Sequence, residues 1–229
     1  KNVTGYDLSK LVAGSFGTLV ALTEITLKVL PKKKLSNTII IHTEDKKLIN
    51  ELFEKISSSS SEISGAVFIP EEPEDKNYNH NKEKVFKFND LESKGSFLAL
   101  RVEGEKISIN EKIKALTDEL GLDKLNSTTL DVHQSTPFWK KINNLELFKS
   151  TKNNLLRVVI PPSKGNKLMQ YLGNKYKYYI DWCGSLYWIE VQAKKNSKVG
   201  EIKKLIKEIE GYITIIKTSN EFDYEETIF

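Results

Sequence analysis

Residues Lys1–Leu30 read KNVTGYDLSKLVAGSFGTLVALTEITLKVL. The stretch opens on a tight Asn2-x-x-Gly5-Tyr6-Asp7 corner and continues into a short helix pattern at Leu8, Leu11 and Val12. A small-residue turn follows at Gly14, Ser15, Phe16, Gly17 and Thr18, and an extended run rich in apolar and β-branched residues then leads to Pro31. A residue without Cβ accepts positive φ and lets another group come close to the backbone. Gly14 and Gly17 therefore predict an exposed turn with free amides, and Ser15 and Thr18 place hydroxyl donors beside them. Such a turn can hold an anionic group, for instance a pyrophosphate, by the nest arrangement. A glycine motif this short also suits a plain turn into a buried strand.

The longer string says more. Lys1-Asn2-Val3-x-Gly5-Tyr6-Asp7-Leu8-x-Lys10-Leu11, followed by Gly14-Ser15-x-Gly17-Thr18-Leu19 and Thr23-Glu24-x-Thr26-Leu27-Lys28, resembles the end of the FAD-binding domain of FAD-linked oxidases. These are the PCMH-type flavoenzymes, of the vanillyl-alcohol oxidase kind. Within that superfamily the string is similar to the FAD-binding subunit of bacterial glycolate oxidase. There Lys-Asn-Val-x-Gly-Tyr-Asp-Leu leads into Gly-Ser-x-Gly-Thr-Leu-Gly and Leu-Lys-Val-x-Pro. Val20 stands here where that pattern has a second glycine. Two later segments, Leu156-Arg157-Val158-x-Ile160-Pro161-Pro162 and Ile180-Asp181-Trp182-x-Gly184, are similar to parts of the same subunit, whereas its usual Phe-Asp-Pro and Asn-Pro-Gly ending is missing. The resemblance implies FAD as cofactor, with Asn2, Gly5, Tyr6, Gly14, Ser15, Gly17 and Thr18 as cofactor-binding positions. It also implies that residues 1–34 are the C-terminal end of an FAD-binding domain and that 35–229 form a substrate or cap domain.

Composition sets the wider bounds. Of 229 residues, 29% are charged and 39% hydrophobic, as in an ordinary globular protein, and the net charge of +4 is too small to argue for nucleic acid, so no nucleic-acid partner is expected. Arg101 and Arg157 are the only arginines, and lysine runs such as 32–34 read as solvated faces. Cys183 is the only cysteine, so an internal disulfide framework and a cysteine-ligated metal site supplied by this chain alone are excluded. A reducing, cytoplasmic compartment fits. No stretch has the 18 or so apolar residues that span a bilayer, so any contact with the inner membrane is expected to be peripheral, through a complex. The chain starts at Lys1, inside the motif, which leads us to expect a piece of something longer, inactive alone, with the other half of the flavin site elsewhere.

From Ser36 onward the periodicity predicts a repeated order of elements. A strand at Thr38–His42 precedes a helix with Leu48, Ile49, Leu52, Phe53 and Ile56 at helical spacing, and a second strand follows at 63–70. Residues 71–84 read as a long polar loop. Strands resume near Val85 and at 96–102, a helix ends at Gly121, and 128–133 closes the unit as a strand. A segment with Pro137, Phe138 and Trp139 begins a helix to Phe148. The order then recurs: strand 155–160, helix 167–172, strands 176–180 and 186–191 around the turn 181–185, helix 202–209, and strand 212–216. Each half reads βαββαβ, the ferredoxin-like order. The expected class is thus α+β, with halves 35–134 and 153–218 linked by 135–152, joined into one antiparallel sheet with helices on one face.

Candidate chemistry is sparse. His42, His80 and His133 lie on separate elements without HxH or HxxxH pairing, so no metal site is expected. Neither a Gly-x-Ser-x-Gly elbow nor a Gly-Lys-Ser/Thr phosphate loop occurs. Trp139, Trp182 and Trp188 read as core or interface anchors that a flavin ring or substrate can also touch. Arg157 sits alone inside the apolar run 155–160 and must face water or a carboxylate, since an unpaired buried charge is too costly. It is either a strand residue on the solvent face or paired with Asp or Glu, or a guanidinium that forks onto the carboxylate of a 2-hydroxy acid. In an oxidase of this kind the flavin carries the redox chemistry and the protein positions the substrate; no catalytic base is identified. The resemblance implies a subunit of an FAD-dependent 2-hydroxy acid oxidoreductase, turning glycolate into glyoxylate beside an FAD-bearing catalytic subunit and an iron-sulfur subunit. A non-catalytic assembly module that binds no FAD, and an FAD-linked D-lactate dehydrogenase, are the alternatives.

Overall fold

The computed structural model describes residues 7–29, 31, 33–73, 95–192 and 196–219. The chain divides into two compact units, Lys1–Lys32 and Lys33–Phe229. In the first, helix α1 (Leu8–Val12) starts at Asp7, whose Oδ1 accepts from Lys10 N at 3.2 Å, and the glycine turn follows. No strand forms at 20–29. Its large apolar residues, Leu22, Ile25, Leu27 and Val29 among them, are exposed.

The second unit is built on an eight-stranded sheet. Its first half runs β1 (Leu35–His42), α2 (Lys46–Ser58), β2 (Ile63–Ile69), β3 (Phe97–Gly104), α3 (Ile109–Leu120) and β4 (Ser127–Leu130). Its second half runs β5 (Asn154–Val159), α5 (Gly165–Leu172), β6 (Lys177–Asp181), β7 (Leu186–Val191), α6 (Asn196–Glu208) and β8 (Tyr212–Lys217), after a linking helix α4 (Val132–Asn143). The strand order is β4-β1-β3-β2-β6-β7-β5-β8, so each half has the ferredoxin-like arrangement and the two join edge to edge. Every recorded pairing is antiparallel, and the join sets Phe68 opposite Ile180. The strand expected near Val85 lies outside the described residues.

Helices on one face only is an expectation the structure corrects. Helices α2, α3, α5 and α6 cover one face around Ile41, Phe53, Leu100, Leu116, Leu156 and Ile202. The central strands, however, are apolar on both sides: Ala66–Ile69 and Phe97–Leu100 are all buried. A second layer is required, and α4 supplies it with Phe138, Trp139 and Ile142 over Ile40, Val67, Phe97 and Tyr179. Its placement is fixed by a buried polar contact as well: Trp139 Nε1 donates to Thr38 Oγ1 at 2.8 Å, and Thr38 shares a 2.7 Å hydrogen bond with Ser135.

The start of α4 also differs from the expected position. Asp131 Oδ1 accepts from His133 N and Gln134 N, and Gln134 reaches back to Asp131 N, a capping box that ends β4 at Leu130 and opens the helix at Val132. His133 therefore lies in the first turn of a helix and not at a strand end. Pro137 falls inside the helix rather than at its first position, and Leu145, at φ 53, stops it before a short 3₁₀ turn at Glu146–Phe148. Among the described residues no helix is long and apolar enough to cross a membrane.

Candidate functional site

The glycine turn belongs to the first unit. Gly14 (φ +81) and Gly17 (φ +76) take the left-handed conformation, as does Phe16 (φ 51) between them. A Cβ at either glycine would meet nothing within 4 Å, so the backbone is open to close approach. Part of the expected donor set is engaged inside the loop. Ser15 N donates to Val12 O at 3.1 Å, Thr18 N donates to Ser15 O at 2.9 Å, and the Thr18 hydroxyl donates to the same oxygen at 2.7 Å. The amides of Phe16 and Gly17 and the Ser15 hydroxyl take no acceptor among the described residues. The turn thus fits one wall of a phosphate site and not, by itself, a complete FAD site. Asn2, Gly5 and Tyr6 lie outside the described residues.

Arg157 lies on β5 in the second unit. Residues alternate between the two faces of a strand, and Leu155 and Tyr179 mark the face that α4 covers. Arg157 shares that face, with Trp188 and Thr214 as its cross-strand neighbours. On this face of the second half Leu155, Tyr179, Leu186 and Glu190 are buried, whereas Trp182 (56%), Tyr212 (79%) and Ile216 (45%) stay exposed. The Arg157 guanidinium lies over the Trp182 ring, 5.1 Å from its centroid. Among the described residues no carboxylate or other acceptor takes its N–H groups, so the structural ion pair weighed from sequence is not formed there. Arg101 makes the contrast: its Nε and Nη2 donate to Ser64 Oγ and O at 2.9 and 2.8 Å, Glu103 lies 3.7 Å away, and the guanidinium covers Trp139.

Trp182 reaches this face through an unusual turn. Trp182 (φ 51), Cys183 (φ 49) and Gly184 (φ 90) are left-handed in succession between β6 and β7. A left-handed residue with a side chain costs about 1–2 kcal/mol, and such strain persists only where the surroundings over-determine it. Here Asp181 Oδ1 accepts from Trp182 N at 2.8 Å, Ser185 N donates to Trp182 O at 3.2 Å, and Ile160 N donates to Ser185 O at 2.9 Å. Phe53 closes the turn from beneath, 3.2 Å from where a Gly184 Cβ would sit.

Asp181 ends β6 on the same face as Tyr179. Burial raises its carboxyl above the ordinary range, opposed by the hydrogen bond from Trp182 N and by the charge of Arg101. Burial also raises the Tyr179 phenol and the Cys183 thiol, each with a further upward push from Asp181, while a hydrogen bond to Ser57 opposes the shift at Cys183. Sequence reasoning marked 181–185 as a turn but gave no role to Asp181. The signal available was an acidic residue and a tryptophan just before the glycine of a hairpin turn. Among the described residues no group of three or more His, Cys, Asp or Glu side chains is arranged to hold a metal ion.

Comparison with known proteins adds relatives to this geometry. No protein-family profile matches the chain. Among solved structures, p-cresol methylhydroxylase with substrate bound aligns with 79% of this chain and 43% of its own, at a TM-score of 0.49 and 11% identity. The 4-ethylphenol oxidase of Gulosibacter chungangensis, in its isoeugenol complex, aligns with 72% of this chain and 40% of its own, at 0.44 and 9%. In sequence, the chain spans about half of the curated relative it matches, 48% of that protein's length. Over 215 residues, 93% of this chain, it is 26% identical and therefore similar to the glycolate oxidase subunit GlcE of Escherichia coli (strain K12).

Proposed function

We propose that this chain is part of an FAD-dependent 2-hydroxy acid oxidoreductase, with glycolate oxidised to glyoxylate as its reaction. Residues 1–34 end the FAD-binding domain, and 35–229 form the substrate or cap domain. The observation that carries the proposal is Arg157: a half-buried guanidinium on β5, held against an aromatic ring, with its N–H edge unengaged among the described residues. A planar fork of this kind suits a small carboxylate. The similarity to GlcE along most of the chain supports the same reading.

When bound, FAD supplies the hydride acceptor. The part of this chain is to hold and orient. Gly14 and Gly17 let an anionic group approach the backbone, and the amides of Phe16 and Gly17 and the Ser15 hydroxyl are the donors left to meet it. Arg157 holds the acid by its carboxylate, and Trp182 keeps the guanidinium in place. The complex around it would contain an FAD-bearing catalytic subunit and an iron-sulfur subunit, in the cytoplasm or peripherally at the inner membrane.

Steady-state kinetics of the assembled enzyme with Arg157→Lys test the proposal, because lysine keeps the charge and loses the fork. The expected result is a raised KM for glycolate with a smaller change in kcat; an unchanged KM overturns the assignment. D-lactate in the same assay separates the two substrates. A second reading, an assembly module without FAD, is favoured by one observation: Leu8, Leu11, Phe16, Leu19 and Leu22 are among the apolar side chains that Lys1–Lys32 leaves exposed, as a docking segment would. Visible flavin absorbance in the purified complex, assigned by removal of this chain, distinguishes the two.

A further inference from the structure

We propose that Asp181 accepts the α-hydroxyl of the acid whose carboxylate Arg157 holds, so that the two side chains together select a 2-hydroxy acid over the plain acid of the same length. This inference rests on the reading of Arg157 given above and adds the residue that distinguishes the substrate class.

The sheet register brings the two together. Asp181 pairs with Leu186, and Leu186 pairs with Val159, so Asp181 and Val159 occupy one row across β6, β7 and β5. Arg157 stands one row further on, on the same face. Strand spacing and rise place the two Cα atoms about 12 Å apart. Trp182, the residue that directly follows Asp181, bridges part of that gap, since the Arg157 guanidinium lies 5.1 Å from its ring centroid. An arginine, an aspartate and a two-carbon acid with a hydrogen bond at each end span such a distance.

The carboxylate has the capacity for this role. Oδ1 is committed to the turn through Trp182 N. Oδ2 takes no hydrogen bond among the described residues, and a carboxylate oxygen accepts a hydroxyl in a charge-assisted bond. Repulsion between Asp181 and the carboxylate of the bound acid is offset from two sides, by Arg157 and by Arg101, whose charge acts on Asp181. Arg101 is held elsewhere: its Nε and Nη2 donate to Ser64, Glu103 lies 3.7 Å from Nε, and the guanidinium covers Trp139. The strained turn has a purpose on this view: it sets the capped aspartate and the tryptophan platform side by side at the end of β6.

The test is binding, which needs no turnover: glycolate and acetate are titrated into the 229-residue chain, read by tryptophan fluorescence and calorimetry. Wild type is expected to bind glycolate about tenfold or more tighter than acetate, the size of a hydrogen bond to a charged group. Asp181→Asn retains the turn cap and replaces the free acceptor with a donor; the ratio should fall below about threefold while acetate binds at least as well as before. Asp181→Ser, which keeps a capping oxygen and leaves the other position empty, should behave alike and guards against a folding defect in the first variant. Arg157→Met should lose both ligands. If the glycolate preference survives in both Asp181 variants while Arg157→Met loses binding, the assignment of Asp181 is overturned and that of Arg157 stands. If Arg157→Met binds as wild type does, or wild type binds neither acid, both assignments fall.

Discussion

Replacing Gly184 with alanine tests whether the left-handed turn that carries Trp182 is held by packing from beneath. Two costs add. At φ +90 the new side chain is in a backbone region that disfavours L-residues by about 1–2 kcal/mol. The new Cβ would also stand 3.2 Å from Phe53 Cδ2, and Phe53 is 3% exposed in the core under α2, so it has little room to retreat. A 3.2 Å approach requires only a few tenths of an ångström of yielding, so overpacking takes the lower end of its usual cost of about 1–3 kcal/mol, and we expect a total loss of about 2–3 kcal/mol. With a urea slope of about 2–3 kcal/mol per M, the unfolding midpoint by circular dichroism should fall by about 1 M. Adding Phe53→Leu should return the steric share and leave the conformational one, a coupling that a double-mutant cycle measures. A midpoint equal to that of wild type would refute the argument, and an additive double mutant would remove Phe53 from it.

Four further outcomes follow from the same geometry. The 229-residue chain alone should retain FAD weakly or not at all, since three of the donors around 14–18 are engaged within the loop; stoichiometric flavin after gel filtration would contradict this. Gly17→Val in the full-length enzyme should lower flavin content with only a modest effect on melting, because open space surrounds that position and the cost is conformational; unchanged flavin content would remove the turn from the site. Trp139→Phe should destabilise by about 1–2 kcal/mol in denaturant unfolding, through loss of the indole N–H bond to buried Thr38. Asp181 has a raised folded-state pKa, so its contribution to stability is fully present below the unfolded value and is lost as pH rises through the folded one. Asp181→Asn should therefore melt higher than wild type at neutral pH, and the difference should vanish in acid; a variant that melts lower at neutral pH would show that the carboxylate is needed for the turn.

Much of the architecture was legible in the chain because it rests on local patterns. Apolar residues at helical spacing in 46–58 and 109–120, a β-branched run at 38–42 and an apolar run at 155–160 specify their elements by what each must bury. Ordered βαββαβ twice, they leave few ways to pair, and the ferredoxin-like halves follow. The boundary at Leu130 was misread because the strand-like residues of 128–133 hide a capping box whose effect depends on two side chains reaching backbone amides. The left-handed Phe16, Trp182 and Cys183 were not legible at all, since their residue types favour the opposite hand and only surrounding contacts hold them.

The candidate site divides in the same way. Sequence alone determined that Arg157, a charge inside an apolar strand, needed water or a partner, and that 14–18 is a turn; both follow from the cost of burying charge and from the freedom of glycine. Only tertiary structure decided which of the two arginines is free to act. Arg101 and Arg157 both interrupt apolar strands, but Ser64, Glu103 and Trp139 converge on the first, while the second meets an aromatic ring and no acceptor among the described residues. Ser64 and Trp139 come from a strand and a helix far along the chain from Arg101, and Trp182 from the turn after a different strand than that of Arg157. The reason is that a side chain's hydrogen-bonding fate depends on which residues the sheet register sets beside it, and register is a property of the packed fold, set when buried faces are matched across strands.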